Sequence, residues 1–559
     1  MKKTRYIPFI LMLLSYSCDI ERFPYESIND DNVLATPEGV KKATVGNYSF
    51  LKQEYFIKPN HYIPEFGSDN VALSGSTTDG LFYLYNYQRN MNNGHLSGLW
   101  GNSYKVIVSC NKLIERIKEG EGSEMDQLLG ENYFLRGYLY FTLVNAFGHQ
   151  YTLDEGAGLG VPIKLSSDVN DYPQRSSVAE VYKQIIVDLE KAEQLMESNK
   201  SSCYASKEVA QALLSRVYLY MGAYDMCRKY CDYVMKSQRY ELLQGESYRK
   251  YSTFVPEDNK ETIFAIRTIT DVELPSNSAW YTVGSMYASI DGAGWGEMYA
   301  SYSYLELLRE HPEDYRWSFI EAQYTKTDEI KTNAIQWVES YFSEKQGHQS
   351  YRYHQASVVS ETNSLFTYKE TGGKTEEGEI VIDHGVKHYY ILFGGERIEV
   401  LKTYMMNVRN GYPKYYVLKC SKQEGKTHNW SPIVIRLAEI YLNRAEASAQ
   451  LGKLKEANDD INIIRRRANI SSYPDVPKDM EQALYRVYKE RRLELAYEGH
   501  RKYDVFRTKQ VLDRRYPGTH TLGTKDAVRL EVAFDANETV CYIPQREIDA
   551  YPVPLIQNK

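Results

Sequence analysis

A mainly α-helical fold, built of tetratricopeptide-like hairpins with large irregular loop and short-strand insertions, is predicted by three features of this sequence. Apolar residues recur at alternating steps of three and four in several stretches, the mark of an amphipathic helix. One helical hairpin overlays another, much later in the chain, at a constant offset of 230. Between them helical periodicity fades, and Gly, Ser, Thr and Tyr rise. The 559 residues, 43% hydrophobic and 25% charged, allow a large core and argue against disorder, collagen or a membrane bundle. Lys+Arg 67 against Asp+Glu 74 leave a net charge of −7, with no basic excess to favour nucleic acid. The 51 Tyr stand out against 17 Phe and 6 Trp. A ring with a polar tip suits a wet surface better than a dry core.

Residues 1–17 read as an address. Lys2, Lys3 and Arg5 precede an apolar run from Ile7 to Leu14, broken early by Pro8. This is the pattern of a secretory signal, too short to remain as a membrane-spanning helix. Ser15, Tyr16 and Ser17 lead directly into Cys18, which resembles a bacterial lipobox whose cysteine is lipidated and becomes the first mature residue. Ser15 stands where such sites usually carry Leu; ordinary cleavage leaving Cys18 a plain thiol is the alternative. No later segment reaches ~18 uninterrupted apolar residues, so the mature chain is expected to be soluble apart from any lipid.

Residues 18–236 form the first helical part, with an irregular Asn-, Ser- and Gly-rich insertion near 66–99. Val106, Cys110, Leu113 and Ile117 make one apolar stripe; Ala210, Leu214, Val217 and Met221 make another. Residues 237–430 are the irregular, aromatic-rich insertion. Within it Glu379–Asp383 alternates like a strand, and Glu370–Glu379 reads as an exposed loop or hairpin tip. Residues 431–559 are helical again, with stripes at Ile435, Ala438, Leu442, Ala445 and Ala449, then at Ala457, Ile461, Ile464 and Ala468. Laying Val209–Val234 on Glu439–Ile464 matches Met221-Gly222 with Leu451-Gly452, Cys227 with Ala457 and Cys231 with Ile461. In each, Gly ends the first helix and a small residue lets the second pack closely. Such hairpins must stack to bury their apolar faces, so the two ends of the chain are expected to meet. Cys227 and Cys231 then read as core rather than as a metal or redox pair. With Cys110, Cys203, Cys420 and Cys541 they permit 15 pairings, among which the sequence does not choose.

Several blocks, in order, resemble one family. Trp100–Ile117 (WGNSYKVIVSCNKLIERI), Glu131–Gly148 (ENYFLRGYLYFTLVNAFG) and Gly160-Val161-Pro162 are similar to its first helical pair. Residues 433–468 and 490–507 (ERRLELAYEGHRKYDVFR) look like its C-terminal blocks, and Ile543-Pro544-Gln545 through Gln557-Asn558 like its closing segment. This is the SusD/RagB family of outer-membrane glycan-capturing lipoproteins, and the resemblance spans the mature chain. It implies a Cys18-anchored, surface-exposed protein of a Gram-negative outer membrane. It also implies a SusC-like TonB-dependent transporter as partner, over which the protein sits as a lid. Peptide capture by the same architecture is the nearest alternative; a glycan-degrading hydrolase is a more distant one.

Enzyme signatures are absent: no HExxH, GxxxxGK[ST] or GxSxG occurs. The glycines of 156–160 lack the strand-then-helix setting that cradles phosphate and read as a loop. His384 and His388 lack a third metal ligand. No cofactor or metal is expected. Glu490, Arg491, Arg492, Glu494, Glu498, Arg501 and Asp504 read as a structural ion-pair network, since nothing pairs them with a nucleophile. Sugar recognition needs exposed rings for C–H faces, interleaved with polar groups for hydroxyls. Two segments fit. In Asp79–Arg89, Tyr83, Tyr85 and Tyr87 alternate as if on one face of a strand, with Asp79 and Arg89 as polar partners. In Ala279–Tyr302, Trp280, Tyr281, Tyr287 and Trp295 surround a flexible Asp291–Gly294 stretch. The family's glycan contacts come from these two general regions, although no strict motif carries individual residues over. Trp100 opens a helix block and is assigned to scaffold packing.

Overall fold

The computed structural model describes residues 34–73, 80–269, 280–344, 347–518 and 529–559. Residues 1–17, read above as a signal, together with Cys18 and Asp79 lie outside the described residues. Helices α1 (Pro37–Leu51), α2 (Glu54–Phe66), α3 (Gly80–Tyr85), α4 (Gly94–Arg116), α5 (Ser123–Phe147) and α6 (Val178–Leu195) open the described chain. Then come α7 (Lys207–Met221) and α8 (Tyr224–Lys236). Helix α5 is buried on nearly every side between α4 and α6. Its Gly130 and Gly137 allow this approach: a Cβ at Gly130 would lie 2.6 Å from Met196 Cγ. The stripe Val106, Cys110, Leu113 and Ile117 is buried, and Trp100 packs edge-on against Phe147.

After α9 (Val283–Tyr287) and α10 (Tyr302–Arg309), the C-terminal part supplies α11 (Leu437–Gln450), α12 (Leu454–Arg467), α13 (Met480–Leu495) and α14 (Arg501–Arg507). The offset of 230 recurs in the hydrogen bonds of the two turns. Gly222 and Gly452 take φ of 75° and 71°, a left-handed conformation that glycine adopts without a Cβ penalty. Ala223 N donates to Tyr218 O at 2.9 Å, and Lys453 N donates to Ser448 O at 2.8 Å. The hairpins pack against each other through α8 and α11. Arg216 forms a buried pair with Glu439, and Arg444 bridges Asp232 and Asp460 at 2.8 and 2.7 Å. Cys227 and Cys231 are both fully buried, and the six described cysteines are free thiols.

The middle of the chain departs from the expectation of irregular loops and short strands. Strands β1 (Asn333–Ser343), β2 (His348–Glu361), β3 (Leu365–Glu370), β4 (Thr375–Asp383), β5 (Val386–Phe393) and β6 (Glu396–Tyr404) form a closed antiparallel barrel. Closure comes from β6 pairing with β1, Leu401 opposite Gln336 and Tyr404 opposite Asn333. Ile335, Trp337, Phe366, Ile380, Tyr389, Ile391 and Val400 fill the interior. Gly378 stands opposite Phe366, and a Cβ there would lie 2.3 Å from the Phe366 ring, so the glycine makes room for the aromatic. A barrel this narrow has few inward positions. Its outward ones carry Glu, Lys and Thr, which is why the segment reads as loop. Glu379–Asp383 is a strand as expected; of Glu370–Glu379, only residues 371–374 form the hairpin tip, and Thr375 onward belongs to β4.

The tyrosine surplus also finds a different place. Many tyrosines are buried, and their hydroxyls serve the charged interior: Tyr248 donates to Glu494 (2.9 Å) and Tyr251 to Glu498 (3.0 Å). Their faces carry guanidinium groups, Arg467 at 4.0 Å from the Tyr248 centroid and Arg436 at 5.2 Å from that of Tyr251. A ring with a polar tip is suited to lining a buried ion network. That network is the one expected at the C-terminus, and it reaches farther. Arg436 binds Glu261, Glu494 and Glu498; Arg316 binds Asp314 and Glu490; Arg492 and Arg501 both bind Asp69. Segments more than 400 residues apart are therefore joined by buried charge pairs. Glu498 lies beyond α13, in the turn before α14.

Candidate ligand-binding site

The chain leaving the undescribed residues 270–279 emerges at Trp280 and enters α9. Tyr287, at the end of α9, is fully buried, and its hydroxyl shares a 2.8 Å hydrogen bond with His61 Nε2 on α2. Burial pushes the His61 imidazole down to about 3, so it is neutral near pH 7. This bond fastens α9 to the scaffold. Beyond it, Ile290 and Ala293 exchange backbone hydrogen bonds of 2.8 and 2.9 Å around Asp291 and Gly292, both at positive φ. This is a tight Asp-Gly turn.

Gly294 follows at φ 100°; a Cβ there would meet Ala288 O at 2.3 Å and His428 Nε2 at 2.4 Å. His428 Nε2 lies 2.9 Å from Ala293 O, and its Nδ1 lies 3.1 Å from Ser421 Oγ. Burial lowers the His428 pKa, so the ring is neutral near pH 7. A carbonyl only accepts, so Nε2 carries the proton and Nδ1 accepts from Ser421. The loop is thus clamped to the 420–430 segment. From this clamp Trp295 projects outward. Its backbone N donates to Ser285 O (2.7 Å), and its indole Nε1 to Trp280 O (3.0 Å). The two indoles meet edge to face, centroids 5.2 Å apart at 74°. Trp295 remains 53% exposed and Tyr281 52%, while Trp280 is half-buried. Lys58 Nζ, on α2, stands 5.7 Å from the Tyr281 centroid.

Of the residues singled out from the sequence, Trp280, Tyr281 and Trp295 form this cluster. Three others do not present a face. Tyr287 is the buried anchor just described. Tyr85 is fully buried with Arg514 4.5 Å from its centroid. The alternating tyrosines lie in helix α3 and the turn after it, not on a strand, so they do not share one face. Tyr83 is half-buried and packs beside Phe82, while Tyr87 is buried and donates to Gly67 O. Arg89 points elsewhere: it stacks on Tyr542 at 4.2 Å and donates to the Lys559 carbonyl. Lys58 gave no sequence signal, because a lone lysine four residues after Glu54 reads as a surface helix pair.

A family model described as starch-binding and associating with the outer membrane matches residues 28–219, and the model of the SusD family matches residues 260–559. SusD-like protein P38 of Formosa agariphila is 25% identical over 535 residues, 92% of this chain and 93% of that protein. A SusD superfamily protein of Bacteroides thetaiotaomicron superposes with a TM-score of 0.70 at 24% identity, covering 93% of this chain and 99% of the other. A SusD-like carbohydrate-binding protein of Bacteroides vulgatus gives 0.62 at 18%, covering 92% and 96%. Among the described residues no helix is long and apolar enough to cross a membrane. With more than half of its length matched by one family model and more than nine-tenths of its fold shared, the chain belongs to the SusD family.

Proposed function

We propose that this protein is a surface-exposed, Cys18-anchored lipoprotein of the outer membrane that captures oligo- or polysaccharide and passes it to a SusC-like TonB-dependent transporter. It does so by binding, without chemistry. One observation carries the reading: Trp295 and Tyr281 expose their rings while the backbone beneath them is pinned by Ser285, His428 and the Asp-Gly turn. Ordered, solvent-facing aromatics lose little entropy on stacking against a sugar's C–H face. Trp280 buttresses the platform. Lys58, ion-paired with Glu54, stands at its edge. Family membership, with its description as starch-binding and outer-membrane-associated, supports the location and the ligand class.

The test is a glycan and peptide panel screened by calorimetry against the intact mature protein. Binding of a glycan that depends on Trp295 upholds the proposal. Binding of peptides alone would replace it with peptide capture, and release of reducing ends from a glycan would replace it with hydrolysis.

A further inference from the structure

The inserted barrel builds a second cleft where it meets the scaffold. Strand β6 contributes Leu401 and Thr403 to one wall, and Tyr415 with the end of α10 forms the other. The hairpin carrying Lys326 and Lys331 lies across it. The volume is about 720 Å³, within the ~300–1,000 Å³ range of small-molecule sites. It shares no residue with the Trp280–Trp295 cluster.

Its lining is aromatic and cationic. Trp317 is half-buried, its ring fixed by Nε1 donating to Leu308 O at 3.2 Å. Tyr324 meets Tyr404 edge to face at 5.4 Å. Lys331 Nζ stands over both rings, 4.4 and 5.2 Å from their centroids. Arg309 is paired with Glu306, and Lys326 with Glu329 at 3.2 Å. Lys331 has no carboxylate within ion-pair distance among the described residues. Glu321 is the one acid lining the cleft, and Gln323 Nε2 already donates to it at 2.7 Å. A ligand here would find flat rings and one uncompensated ammonium.

We infer that this cleft is a second saccharide subsite, selective for a sugar ring bearing an anionic substituent, a carboxylate or a sulfate. The ring's C–H face stacks on Trp317 or Tyr324, and the anionic group pairs with Lys331. This inference rests on the glycan reading above, but it concerns a different surface and a different sugar chemistry. The barrel is part of the site, since without Leu401 and Thr403 the cleft has no second wall.

The test measures binding of the intact mature protein to three probes at low and physiological salt. These are a tetragalacturonide, a sulfated galactan tetrasaccharide and neutral maltotetraose. The variants are Lys331→Gln, Tyr324→Ala and Trp295→Ala, each with its melting temperature. The expectation is that at least one anionic probe binds more tightly than the neutral one and weakens with salt. Lys331→Gln should then lower that affinity about tenfold, the order expected for one charge-assisted contact, while leaving any binding of the neutral probe unchanged. Lys331 is exposed on a two-residue strand, so its variant keeps the test decisive if Tyr324→Ala folds poorly. Wild-type affinity for both anionic probes in Lys331→Gln overturns the inference. So does Trp295-dependent binding of neutral glycan with none of either anionic probe; in that case glycan capture stands and only this subsite falls. If no sugar binds in either screen, both readings fall.

Discussion

At Trp295 the backbone is held on both sides, by Ser285 O and by the His428 clamp on the preceding turn, while the indole stays in water. An exposed ring contributes little to folding, so its removal separates binding from stability. Trp295→Ala is expected to lower glycan affinity at least tenfold, ~2 kcal/mol or more for a binding hot spot. Its melting temperature should stay within a few degrees of wild type. Calorimetry and thermal unfolding on the same preparation check both halves. Gly294 presents the opposite case. Ala there must force a Cβ into Ala288 O and His428 and hold a positive φ, at a cost of about 1–3 kcal/mol. Gly294→Ala should therefore lower melting temperature and affinity together, because the loop that presents Trp295 has to shift.

Among elements, α13 and the turn after it carry the most consequential charges. Glu494 faces Arg316, Arg436 and Arg467, and Glu498 faces Arg436 and Lys419, all nearly inaccessible to water. Burial opposes ionisation of Glu498, but Arg436 and Lys419 override it and bring its pKa down to about 2; Glu494 is depressed in the same way by its arginines. A carboxylate whose folded pKa lies below its unfolded value of about 4.5 stabilises the fold above that pH. The contribution is lost as pH falls through the folded pKa. The acid limb of the melting-temperature profile should thus run from about pH 4.5 toward 2, and Glu498→Gln should flatten it. Glu65 runs the other way: burial pushes it up to about 7, so its contribution declines as pH rises from about 4.5 to 7. Glu494→Gln, which leaves three buried arginines short of one carboxylate, is expected to cost about 3–5 kcal/mol by chemical denaturation.

On the scale of the whole molecule, the barrel is a loop insertion with its own core. Its interior cluster is separate from those of the scaffold, and its entry and exit at Asn333 and Tyr404 are paired neighbours. Replacing residues 333–404 by a short glycine linker should leave a folded scaffold that retains Trp295-dependent binding and loses the anionic subsite. Circular dichroism and the three-probe titration together check this. The anchor belongs to this scale too. Metabolic labelling with a palmitate analogue should mark the wild-type protein and fail on Cys18→Ala, and persistent labelling of the variant would remove the lipid assignment. Co-purification from gently solubilised membranes should bring down a transporter-sized partner.

The helical scaffold was legible from the residues because its signals are local. Gly222 and Gly452 end helices by their own conformational freedom, and stripes such as Val106–Ile117 repeat within one element. Family membership was legible for a related reason, since an ordered set of blocks is far more specific than any one of them. The ion network was legible in part: Glu490, Glu494 and Glu498 announced themselves by spacing, but their partners Arg316, Lys419 and Arg436 are supplied by distant segments. The barrel was not legible, because its closure depends on β6 finding β1 more than fifty residues away and its outward faces are polar. The site divided along the same line. Composition found the tyrosines of 83–87 and the rings of 280–302 alike. Only tertiary packing decided that Tyr85 and Tyr287 fill the interior while Tyr281 and Trp295 face water, because burial is set by what the rest of the chain places above a ring.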